Sequence, residues 1–214
     1  MNNITQRNEN LPFHFEILYA GIEFLKLIEK NPKLSKIEIK PDRKYGADRR
    51  IEDLTKFYGN GDVEVVQIKH SIDNTSKIGF GDLWRIKPSK NTSNDSQAKE
   101  GKDIFKFLRS WRLHNQNSKD VRLVLASNKN PIKELGIFLT DIEKLRQSEL
   151  SWVTFKKKYQ KQIICIIENC KKRAFVNDTE LHSFIKSIYF EKLPDHFKLE
   201  ERLNEKLKFH GVLY

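Results

Sequence analysis

The apolar positions along the chain follow two periods. From Phe13 to Lys30, "FHFEILYAGIEFLKLIEK" puts Phe13, Ile17, Ala20, Phe24 and Ile28 on one stripe at helical spacing, and Leu18, Ile22 and Leu25 on a second. Pro12 suits the first turn of a helix, so the helix is expected to open there, after loosely held polar residues 1–11. Apolar on two sides, it is expected to pack on both. The period then falls to two. "SKIEIK" predicts a short strand, and "IEDLTKFYGNGDVEVVQIKHS" predicts a hairpin of two alternating runs around Gly59, Asn60 and Gly61. From Ile72 to Gly101 the chain is polar and irregular, and "KPSKNTSNDSQAKEG" reads as a mobile loop.

Beyond it, "KDIFKFLRSWRLHN" predicts a helix with Ile104, Phe105, Leu108 and Trp111 on one side, and "VRLVLASN" predicts a strand. "ELGIFLTDIEKLRQ", "SWVTFKKKYQKQIICIIENCKK" and "DTELHSFIKSIYF" read as helices, and the final segment is amphipathic. The order predicts a mixed α/β core over residues 1–150 and a helical extension over 151–214 packed on it, one domain overall. The apolar ending "HGVLY" suits the N-terminal module of a longer chain.

The length, 214 residues, is enough to bury a substantial core, and 14 Phe residues exclude general disorder. Lysine and arginine number 40 against 29 acids, a net charge of +11, which favours polyanionic partners and equally fits a lysine-rich soluble protein. Cys165 and Cys170 have no zinc-site spacing and read as reduced thiols. No segment approaches the roughly 18 apolar residues of a membrane span, and the N-terminus has no apolar signal core. A cytoplasmic protein without membrane contact is expected.

The hairpin carries the candidate chemistry. Alternate strand residues share a face, so Val63, Val65, Gln67 and Lys69 belong together on the second arm, as do Ile51, Asp53, Thr55 and Phe57 on the first. A strict two-residue Asn60-Gly61 turn would set these faces out of phase. A three-residue loop over Gly59–Gly61, or a bulged turn, brings Asp53 opposite Gln67 or Lys69, and this is the expected register. Phe57, Val63 and Val65 then form core, and Asp53, Gln67 and Lys69 gather at the open end. Carboxylate and amide oxygens can hold Mg²⁺, and a nearby ammonium can stabilise charge developing at a phosphate. The same residues also read as an ion pair, Asp53 with Lys69, capping the hairpin end.

The stretch "IEDLTKFYGNGDVEVVQIKHS" resembles the PD-(D/E)xK nuclease superfamily, with an acid on one strand and (E/D/Q)-x-K on the next. It looks most like the N-terminal nuclease domain of CD-NTase-associated double-stranded DNA endonucleases of anti-phage systems. The aromatic-rich first helix, "KFLRSW" and the strand end "ASN" carry the likeness further, over roughly residues 11–130. The resemblance implies a restriction-endonuclease-like mixed sheet flanked by helices, and Mg²⁺- or Mn²⁺-dependent hydrolysis of phosphodiester bonds in double-stranded DNA. By residue it implies Asp53 as metal-binding acid, Gln67 in place of the second acid, and Lys69 as catalytic lysine. Gln67 departs from the usual acid, and Glu16 on the first helix is the candidate to make up the missing charge. The resemblance also implies gating, by homo-oligomerisation or by fusion to a sensor or NTPase module.

Asp48 rivals Asp53 for the acid but falls in the loop leading into the hairpin. Glu52 alternates to the other face, and Glu38 could join from the neighbouring strand. His70 faces away from Lys69 and reads as a packing or DNA-facing residue. Lys156, Lys157 and Lys158, with Arg109 and Arg112 beside Trp111, are candidates to track a nucleic-acid backbone, or form a solvated face. Three other readings compete: an inactive nucleic-acid-binding module of the same fold, an RNase, and a structural adaptor built on the basic helices.

Overall fold

Gly61 sets the hairpin on which the sheet is built. Its φ of +89° lies in the left-handed region, which a residue without Cβ enters at no steric cost. The Gly61 amide donates to the Tyr58 carbonyl at 3.0 Å, and the Tyr58 amide donates to the Asp62 carbonyl at 3.0 Å, closing a three-residue loop over Gly59–Gly61. The strands it joins are β2 (Leu54–Tyr58) and β3 (Val63–Lys69), in antiparallel register with Leu54 opposite Val66 and Phe57 opposite Val63. This is the expected register.

The structure is a computed structural model that describes residues 3–29, 33–39, 54–71, 75–84, 103–116, 118–169 and 177–212. Helix α1 (Asn3–Ile28) and strand β1 (Leu34–Ile39) precede the hairpin. After it come β4 (Lys77–Ile78), α2 (Phe80–Trp84), α3 (Asp103–Asn115), β5 (Val121–Ser127), β6 (Asn130–Pro131) and α4 (Lys133–Arg146). The chain continues through α5 (Trp152–Lys158), α6 (Gln160–Asn169), α7 (Asp178–Lys186), β7 (Ile188–Lys192) and α8 (His196–Phe209). The protein is mixed α/β: a five-stranded sheet in the order β1-β2-β3-β5-β7, flanked by helices, with a second small sheet of β4 and β6. β1, β2 and β3 are antiparallel, and β3, β5 and β7 run parallel.

Helices cover both faces. On one, Val63, Val65, Leu123, Leu125 and Ile188 pack against Leu108 and Trp111 of α3, Phe138 of α4, Phe155 of α5, Ile166 of α6 and Phe184 of α7. On the other, Leu54, Val66, Ile68, Val124 and Ala126 pack against Phe15, Leu18 and Tyr19 of α1 and Leu199 of α8. β5 is covered on both faces, which explains why "VRLVLAS" is a nearly continuous apolar run.

The fold departs from the sequence expectations in five places. Helix α1 begins at Asn3, so residues expected to be loose are helical and Pro12 lies inside the helix. It packs mainly on one side: Leu18 and Leu25 of the second stripe are buried, whereas Ile17, Phe24 and Ile28 of the first are 48%, 49% and 56% exposed. The segment expected as irregular contains β4 and α2. The long basic helix is two helices, because Tyr159 (φ −110°, ψ 30°) leaves helical geometry and caps α5. Finally, "DTELHSFIKSIYF" is helix only to Lys186; Ser187 caps it, and "IYFEK" becomes β7, paired with β5 from Leu123–Ile188 to Ser127–Lys192. The C-terminal part therefore supplies a strand as well as helices.

Candidate active site at the C-terminal edge of the sheet

Three parallel strands end together at one edge, where Lys69, Ser127 and Lys192 are in register on β3, β5 and β7. Two steps back, Gln67, Leu125 and Phe190 form the equivalent row. Residues in register on neighbouring strands share a face, and Leu125 and Phe190 belong to the α3–α4 core. Gln67 and Lys69 therefore share that face, as the alternation along β3 predicts. Gln67 is 5% exposed, and its amide nitrogen lies 3.5 Å from the Ile68 carbonyl. Lys69 is half-buried at the rim.

The dipeptide Ser127-Asn128 ties this edge together. The Ser127 hydroxyl donates to the Lys69 carbonyl at 2.6 Å and accepts from the Lys129 amide at 3.1 Å. The buried Asn128 amide acts as an extra backbone rung: Nδ2 donates to the Ser71 carbonyl at 2.7 Å, and the Ser71 amide donates to Oδ1 at 2.9 Å. On the β7 side, the Leu193 amide donates to the Ser127 carbonyl at 2.8 Å, and Lys192 Nζ donates to the Asn128 carbonyl. This is the physical content of the strand end "ASN": its side chains hold the β3 end, and its backbone carbonyls hold the β7 end.

His70 lies on the opposite face of β3 and packs there. Its ring stacks on Phe15 at a centroid distance of 4.2 Å and lies 6.2 Å from that of His196 at the start of α8. Burial first, then the neighbouring His196 and Lys129, push its pKa down to about 4. It is neutral at pH 7, with Nε2 buried, and this favours the packing role of the two expected for it.

Glu16 is half-buried on α1, beside Phe15. Because α1 covers the face of Val66 and Ile68, Glu16 can meet Gln67 only around the end of the strands. Asp53, the expected acid, lies outside the described residues, as do its rival Asp48 and Glu52. Glu38 on β1 is exposed and paired with Lys36 at 2.5 Å. Among the described residues no three His, Cys, Asp or Glu side chains converge as a metal site.

Several expected nucleic-acid contacts are engaged with acids. Lys156 pairs with Asp178 at 2.8 Å, Lys158 with Asp141 at 2.5 Å and Arg112 with Glu180 at 2.7 Å. The Lys158 and Tyr159 hydrogen bonds outweigh burial and hold the Asp141 carboxyl below its usual range. Lys157 is exposed, and the Arg109 side chain lies outside the described residues, as does that of Cys165 and all of Cys170.

Sequence reasoning missed a buried charge cluster beneath α1. Lys56 Nζ sits 2.6 Å from Glu64 and 3.1 Å from Glu23, with Lys56 5% and Glu23 3% exposed. Tyr19 lies 3.4 Å from the same ammonium and donates to Glu191 at 2.9 Å. Burial opposes the Lys56 charge, but the Glu64 and Glu23 carboxylates outweigh it and raise its pKa. Burial likewise raises the Tyr19 pKa, so its hydroxyl keeps its proton as a donor. The expected hairpin register, which sets Lys56 opposite Glu64 on the Leu54 face, could have signalled part of this site; Glu23 and Tyr19 of α1 could not be read from it.

Compared with protein-family models, curated proteins and solved structures, the chain matches none.

Proposed function

We propose that the chain is a cytoplasmic metal-dependent endonuclease that hydrolyses phosphodiester bonds of double-stranded DNA, with Gln67 and Lys69 in its active site. One observation carries the reading: Gln67 and Lys69 lie on one face of β3 at the end of three parallel strands, in a hairpin of the expected register. The mixed sheet with helices on both faces suits the restriction-endonuclease-like fold that the resemblance implies.

The donors in this reading are all oxygens, the carboxylates of Asp53 and Glu16 and the amide of Gln67, which suits a hard ion such as Mg²⁺ or Mn²⁺. Such an ion lowers the pKa of a bound water and neutralises charge on the phosphate. The chain's own groups do the rest. Lys69, anchored through its carbonyl by Ser127, presents an ammonium at the rim to charge developing on the phosphate oxygens. Gln67, buried on the same face as Lys69, would offer its amide oxygen to the ion. An anti-phage role, and gating by self-association or by a fused sensor or NTPase module, rest on the resemblance alone.

The test is cleavage of supercoiled plasmid, single-stranded DNA and transfer RNA side by side, with Mg²⁺ and with chelator. Mg²⁺-dependent linearisation of plasmid is the expected result; cleavage of RNA alone identifies an RNase. A second reading, an inactive binding module of the same fold, is favoured by the neutral and deeply buried Gln67. It predicts salt-sensitive duplex binding with no cleavage under any divalent ion.

A further inference from the structure

The row that holds Lys69 continues across the sheet to a cation that the active-site reading does not use. Lys192, the last residue of β7, is in register with Ser127, which is in register with Lys69. Both lysines therefore project to the face that carries Gln67, with Ser127 between them. At about 4.8 Å per strand, two strand spacings separate their backbones by roughly 10 Å, the span of a few nucleotides along one nucleic-acid strand. The nearest acid in sequence, Glu191, alternates to the other face and accepts from Tyr19, so it does not offset Lys192.

Lys192 is exposed and already positioned. Its Nζ donates to the Asn128 carbonyl, which pins the side chain along the edge, and an ammonium has three donors, so two remain to face outward. The carboxyl ends of parallel strands are where open α/β sheets receive ligands. This edge thus combines oriented cations with a backbone fixed by Ser127 and Asn128.

We propose that Lys69 and Lys192 form a phosphate-binding ledge across β3, β5 and β7, with Lys192 holding the DNA backbone beside the phosphate at Lys69. The proposal rests on the nuclease reading for its ligand, duplex DNA. Lys192 positions substrate and takes no part in bond cleavage.

The experiment is equilibrium binding of a labelled short DNA duplex, followed by fluorescence anisotropy in chelator over a range of salt concentrations. Lys192→Gln keeps a donor for the Asn128 carbonyl and removes the charge. It is expected to weaken binding several-fold and to reduce the slope of log affinity against log salt by about 0.9. Lys192→Arg is expected to retain the wild-type slope. Lys36→Gln on β1, at the far side of the sheet, is the control. The ledge is overturned if Lys192→Gln, folded by circular dichroism, keeps the wild-type slope, or if Lys36→Gln lowers it equally. A wild-type chain with no salt-dependent duplex affinity overturns it too. Loss of slope in a chain that never cleaves with Mg²⁺ upholds the ledge and defeats the nuclease reading. Cleavage with an unchanged slope does the reverse.

Discussion

At the scale of single residues, His70 shows how packing overrides intrinsic chemistry. Its sequence position beside Lys69 leaves a packing and a DNA-facing role open, and its ring is stacked on Phe15 with a pKa near 4. The sign of the consequence follows from linkage. The unfolded chain takes up a proton near pH 6.5 and the folded chain only near pH 4, so in that window the unfolded state binds more protons. The stabilisation is complete above about 6.5 and is lost as pH falls towards 4. After discounting for partial solvent exposure, the loss is about 1–2 kcal/mol. Urea titrations across this range should show wild-type stability falling and His70→Phe falling by less. Asn128 is the counterpart on the candidate site's own strand end. Asn128→Ala removes two hydrogen bonds to Ser71 and is expected to cost about 1–3 kcal/mol, read from the urea midpoint.

At the scale of elements, what could be read in the sequence was what local chemistry decides. The hairpin was legible because Gly59-Asn60-Gly61 and the alternation on either side specify turn and register without help from elsewhere. β7 was not. "SIYF" continues the apolar spacing of α7, and only its docking against β5 makes it a strand. The first helix failed for a similar reason. Its two apolar stripes look alike in sequence, and the sheet with α8 selects the one holding Leu18 and Leu25. Lys56 is the sharpest case, because its partner Glu23 lies on another element. Breaking that cluster with Lys56→Met leaves two carboxylates facing each other beneath α1 and should cost about 3–5 kcal/mol in denaturant unfolding. Replacing Glu23 and Glu64 by apolar residues in the same variant should recover much of that loss.

At the scale of the whole molecule, the sheet is the organising object and both ends of the chain build it. Phe155, Ile166, Phe184 and Ile188 enter the same core as Val65 and Leu123. Phe184→Ala is accordingly expected to lower stability by about 3–5 kcal/mol. Tryptophan fluorescence and circular dichroism should still report one coincident unfolding transition. The net charge of +11 is legible in composition, but its distribution is not. Acids distant in sequence meet Lys156, Lys158 and Arg112, while the cations aligned with Gln67 come from strand ends far apart in the chain. The pair Gln67 and Lys69 was legible because alternation alone puts them together; the clamp by Ser127 and Asn128 and the row to Lys192 depend on parallel pairing, which no local pattern specifies.

The most direct test of the account is plasmid cleavage by Lys69→Ala beside wild type, with Mg²⁺ and with chelator, after circular dichroism shows that the variant is folded. The account predicts Mg²⁺-dependent cutting by wild type and a loss of about 100-fold or more in the variant. A folded Lys69→Ala protein that cuts at the wild-type rate would contradict it.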